Sequence, residues 1–157
     1  MALVDQFLKT RGGPVAVGKN KVVQMDRIPI RRGKVTVTFR RAVVDQGVAL
    51  KSAKGGIRLS DGRDVPLLNI WSEPNLPLQV EHDVTCPDGG LRVWNIYRVR
   101  HPNGTTTEDA WTGNAGMIVE IVGSNRRYYR CSDGPGEFDP AFEFEIQWAE
   151  HEHDLGD

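Results

Sequence analysis

Cysteine is scarce in this chain, with Cys86 and Cys131 alone among 157 residues. At most one disulfide is available, so a disulfide-stapled scaffold is excluded, and the pair reads as two free thiols of a reducing compartment. Hydrophobic runs are short as well. None approaches the roughly 20 apolar residues that a helix needs to cross a bilayer, and no membrane partner is expected. The start Met-Ala-Leu-Val-Asp-Gln-Phe-Leu-Lys lacks the basic-then-apolar order of a signal peptide. The expected location is therefore a virion or the cytoplasm. Helical periodicity is nearly absent beyond the first dozen residues, which excludes bundle and doubly wound folds.

What is present is enough apolar material, 39% of the residues, for one core of ordinary size. It comes with an uneven distribution of charge. Residues 1–60 hold 13 Lys/Arg against Asp5, Asp26 and Asp45, a net of +10. Residues 61–157 hold seven against 18 acids, a net of −11. The total of −1 thus conceals two opposed halves, each calling for a partner: the other half of the fold, a neighbouring copy, or a polyanion beneath the basic segment.

Three segments follow. Residues 1–33 read as a basic N-terminal arm with a short helical start, because Leu3, Val4, Phe7 and Leu8 recur at helical spacing until Gly12-Gly13-Pro14 ends the pattern. Val15 to Gly33, interrupted by Gly18, Asn20 and Pro29, is expected to be extended. From residue 34 to 149 the period is two, as in strands with one buried face. Val35, Val37 and Phe39 alternate with polar residues, as do Leu78, Val80, His82, Val84 and Cys86, and again Phe142, Phe144, Ile146 and Trp148. Residues 150–157 form an acidic tail.

Turn signals at Asp61-Gly62, Asp88-Gly89-Gly90, Asn103-Gly104 and Asp133-Gly134 separate these runs, and the strands on either side of each are expected to pair. The expected fold is all-β: an antiparallel two-sheet sandwich or jelly roll with an extended basic arm, a β-barrel being the alternative. Asn103-Gly104-Thr105 fits a glycosylation acceptor, but without secretion it reads as a hairpin turn.

Motifs for chemistry fail on context. Gly13 to Asn20 comes within one residue of a phosphate-binding loop, but Asn20 stands where a hydroxyl should hold magnesium, and neither the strand before nor the helix after is present. His82 and Cys86 share a strand face about 13 Å apart, too far for a dyad. His151 and His153 lie in a solvated tail, and Asp133, Glu137 and Asp139 around Gly134-Pro135-Gly136 read as a capped turn, since their spacing departs from a calcium loop. No cofactor, metal or catalytic set is expected.

The candidate residues are therefore binding residues. The basic arm offers Arg27, Arg31, Arg32, Lys34, Arg40 and Arg41; an aromatic and basic surface offers Trp94, Arg98, Arg126, Arg127 and Tyr128; an acidic surface offers Glu143, Glu145, Glu150 and Glu152. The function expected from them is non-enzymatic, that of a structural protein of a repeating assembly such as a viral or phage particle. Its partners would be other copies, neighbouring assembly proteins, or nucleic acid under the arm. Two other readings are an intracellular binding module, such as an immunity or inhibitor protein, and a small hydrolase or ligand-binding barrel using His82 with Glu81 or Asp83.

Overall fold

The computed structural model describes residues 1–73 and 75–151. Glu152 and His153, singled out above, lie outside the described residues. Among the described residues the chain is nearly all β, with one short helix and two antiparallel sheets.

The chain begins with α1 (Leu3–Lys9), which buries Leu3 and Phe7, one turn apart, and leaves Leu8 in solvent. Gly12, at φ 82, turns the chain where a side chain would be strained. The segment expected as an extended basic arm is then drawn into both sheets. Strands β1 (Val15–Val17) and β2 (Asn20–Val23) make a hairpin around Gly18-Lys19, with Gly18 at φ 60, so the near-match to a phosphate loop is a tight turn. Strand β3 (Asp26–Ile28) joins the other sheet. Each short piece carries an apolar anchor, Val15, Val22 or Ile28, whose burial offsets the cost of ordering it.

The remaining strands are β4 (Arg32–Arg41), β5 (Gln46–Lys51), β6 (Gly56–Arg58), β7 (Asp64–Val65), β8 (Leu67–Trp71), β9 (Gln79–Thr85), β10 (Leu91–Arg100), β11 (Thr106–Asp109), β12 (Gly116–Gly123), β13 (Arg126–Ser132) and β14 (Phe142–Glu150). The larger sheet runs β1-β2-β12-β13-β14-β4-β9-β6-β7, and the smaller runs β11-β10-β5-β8 with β3 also on β10. Alternation placed the centre of the larger sheet correctly. Val35, Val37 and Phe39 of β4 and Phe142, Phe144, Ile146 and Trp148 of β14 point into one core. Val48 and Leu50 of β5, with Leu91 and Val93 of β10, meet them from the smaller sheet. Two sheets facing across one apolar layer make the sandwich arrangement.

A second cluster sits on the opposite face of the larger sheet. Ile118 turns away from its core-facing neighbour Met117 and, with Val15 and Val22, receives Leu3 and Phe7. The helix is fastened at its start, since Leu3 N donates to Asn114 Oδ1 and Val4 N to the Gly113 carbonyl.

Three of the four turns join strands that pair: Asp61-Gly62 joins β6 to β7, Asn103-Gly104 joins β10 to β11, and the longer connection through Asp133-Gly134 joins β13 to β14. Asp88-Gly89-Gly90 does not. It carries the chain from β9 in the larger sheet to β10 in the smaller one. Val84 and Cys86 before it and Leu91 and Val93 after it are all buried, so the chain must cross the end of the sandwich to keep both sets in the core. The Arg27 guanidinium lies over this crossing and donates to the Asp88 carbonyl at 2.8 Å. A side chain on Gly90 would collide with it.

Candidate interaction surfaces

The two charged halves meet each other within one chain. Strand β4, from the basic half, lies between β14 and β9, both from the acidic half. Along their outer faces Lys34 approaches Glu81 at 3.8 Å, Arg40 reaches Glu145 at 2.9 Å, and Arg41 reaches Glu143 at 3.9 Å. Arg27 stands 3.9 Å from Asp88, and Arg31 donates its backbone N–H to Glu150 at 2.8 Å. Arg32 accepts the backbone N–H of His151 on its carbonyl. The minority charges pair across the halves too: Asp45 takes a two-pronged bond from Arg100, and Asp26 one from Arg127. The Arg100 guanidinium holds the Asp45 carboxyl below its ordinary range.

These contacts differ in weight. Lys34 and Glu81 are each half exposed, and such pairs add at most about 1 kcal/mol. Glu145 is different. Its side chain is only 10% exposed and lies between Arg40 and Arg126, at 2.9 and 3.1 Å. The acidic surface expected of Glu143, Glu145 and Glu150 is therefore engaged inside the chain. Glu143 also accepts the Tyr128 hydroxyl at 2.6 Å, which raises the tyrosine pKa.

The aromatic and basic set divides between the sheets. Trp94 and Arg98 share the outer face of the smaller sheet, whereas Arg126, Arg127 and Tyr128 belong to β13 of the larger one. Arg126 and Tyr128 face outward with Glu145 and Glu143. Arg127, between them, turns inward, lies 5.6 Å from the Trp148 ring, and binds Asp26. Tyr129 donates to the same Asp26 at 2.6 Å and stacks on Phe144. Burial and the Asp26 carboxylate push the Tyr129 pKa well above its ordinary value.

Around Trp94 the structure assembles more than the sequence indicated. Trp111 packs on it with ring centroids 5.1 Å apart, and Trp71 lies over Gly47 on the neighbouring strand, with the Arg98 guanidinium stacked 3.8 Å from its ring. Glu73 fixes Arg98 from the side at 2.7 Å. Trp94 is thereby buried, and Trp111 forms the exposed part of the patch. Trp111 sits in a loop at φ 60, where its indole N–H donates to the Gln24 carbonyl. No periodicity could have placed it there.

His82 bonds the Arg58 carbonyl through Nδ1 at 2.8 Å, while Glu81 and Asp83 point to the opposite, exposed face. The histidine and carboxylates of the hydrolase reading do not converge. Cys86 and Cys131 are free and buried, and burial raises both thiol pKa values. His151 approaches Asp83 at 3.9 Å.

One cavity opens at the end of the sandwich, about 670 Å³, between the start of β5 and the β13–β14 connection. Gln46 and Asp133 line it together with Glu137 and Asp139. Burial, reinforced by the nearby Asp139 charge, raises the Asp133 carboxyl above its usual range. Compared with protein-family models, with curated proteins and with solved structures, the chain matches none.

Proposed function

We propose that this protein is a non-enzymatic structural component of a repeating assembly, such as a viral or phage particle, in which a basic edge of one copy meets an acidic surface of a neighbour. The observation that carries the reading is where charge remains after the halves have paired. Lys9 and Arg11 at the end of α1, with Lys19 and Lys21 on the β1–β2 hairpin, make no ion pair among the described residues and are all exposed. They flank β1, the terminal strand of the larger sheet. Positive charge beside a strand edge disfavours indiscriminate pairing and admits a partner of opposite charge. To the expected contact set of Arg27, Arg31, Arg32, Lys34, Arg40 and Arg41, of which Arg27, Lys34, Arg40 and Arg41 pair within the chain, this edge is added. Two-sheet sandwiches, jelly rolls among them, recur in viral capsid domains, although the fold class by itself decides no function.

The test is sedimentation velocity on the full chain and on Lys19→Glu/Lys21→Glu. The double reversal is expected to shift the distribution toward the monomer at low salt. Equal self-association of both proteins contradicts the reading.

A second reading, a binding module of the inhibitor or immunity kind, is favoured by the Trp71, Trp94, Trp111 and Arg98 patch. Aromatic and arginine anchors of this sort dominate interface energetics.

A further inference from the structure

The cavity at the end of the sandwich contains a feature that folding alone does not explain. Gln46 is 6% exposed, and its Oε1 is one of two buried side-chain polar atoms without a hydrogen-bond partner among the described residues. The residue faces inward at the start of β5, on the face that carries Val48 and Leu50, and lines the cavity together with Asp133, Glu137 and Asp139. A buried carbonyl oxygen left unpaired costs about 1–3 kcal/mol, and it accepts hydrogen bonds without donating them. Three carboxylates around it are acceptors too.

We propose that this cavity is a binding site for an organic cation, the guanidinium of an arginine side chain, which donates to Gln46 Oε1 and pairs with Asp133 and Asp139 while its methylene stem lies against Val43 and Phe138. A guanidinium presents five N–H donors in a planar fork and no acceptor, the complement of this lining. Among the described residues no three carboxylate, imidazole or thiol groups come close enough together to hold a metal ion. Acceptors spread over a cavity of about 670 Å³ suit an extended cation with several donors better than a point charge. Burial first, and then the nearby Asp139 charge, raises the Asp133 carboxyl, so a cation lying between the two carboxylates would offset the second of these. The inference does not depend on the assembly reading, because a free arginine derivative satisfies the same groups as an arginine on another chain.

The test is a titration of the full chain with N-acetyl-arginine amide, followed by amide NMR shifts. N-acetyl-glutamine amide and calcium chloride are run as parallel arms. Saturable shifts are expected at Gln46 and in residues 133–139, with none from the neutral amide. Gln46→Leu should weaken binding about tenfold, as the loss of a hydrogen bond to a charged group does. Asp139→Asn supplies the same test should Gln46→Leu fail to fold. Unaltered affinity in the variants, shifts confined to other regions, or the same shifts produced by calcium at lower concentration each overturn the proposal.

Discussion

Arg127 Nη1 donates to both carboxylate oxygens of Asp26, each at 2.9 Å, and so ties β13 of the larger sheet to β3 of the smaller one. Both side chains are about one-sixth exposed. The clasp joins residues 101 positions apart and is completed by Tyr129, which shares the same carboxylate.

Removing Asp26 leaves Arg127 partly buried with its charge uncompensated and Tyr129 without an acceptor. Asp26→Ala is therefore expected to destabilise the fold by about 3–5 kcal/mol, measured by urea unfolding. A double-mutant cycle with Arg127→Met should return a large part of that loss as coupling. Additive losses would show that the clasp is not a unit.

Tyr129 makes stability sensitive to high pH. Burial and the Asp26 carboxylate favour its neutral form, so its folded-state pKa lies above the unfolded value of about 10. The associated stability is intact below that value and declines as pH rises beyond it, because the unfolded chain releases the proton first. Tyr129→Phe should lower stability at neutral pH by about 1 kcal/mol and flatten the alkaline limb of the stability profile. A parallel limb in both proteins would assign the decline to other groups.

Glu145 anchors the outer charge ladder. Glu145→Ala exposes Arg40 and Arg126 to each other and is expected to cost about 1–3 kcal/mol. Lys34→Ala, which breaks a pair exposed on both sides, should leave the unfolding midpoint unchanged. Equal effects would mean that burial does not grade these pairs.

Gly47→Ala tests the tryptophan patch. A methyl group there would collide with the Ile70 carbonyl and approach the Trp71 ring carbon Cε3 at 3.1 Å. The expected loss is about 1–3 kcal/mol, accompanied by a change in near-UV circular dichroism as Trp71 and Arg98 separate. Wild-type stability with an unchanged spectrum would count against this packing.

Much of the fold was legible in residue order. The alternation in β4 and β14 identified the core faces, in β9 it did so for Val84 and the following Cys86 whereas Leu78 is exposed, and Asn103-Gly104 and Asp61-Gly62 identified hairpins. Other features depend on contacts between residues distant in sequence. Asp88-Gly89-Gly90 has the composition of a hairpin turn, and only the position of the opposite sheet makes it a crossing. Residues 15–28 look like an arm because each strand spans three or four residues, too few to establish a period. Gln46 and Asp26 were not singled out, because only contacts with residues distant in sequence, the β13–β14 connection for one and Arg127 with Tyr129 for the other, give them their surroundings.

The most direct test of the proposed role is the solution mass of nuclease-treated protein by light scattering, from low to high salt at several concentrations. Species larger than one chain are expected at low salt, dissociating as salt screens the basic edge. A single-chain mass at every salt and concentration would contradict the proposed role.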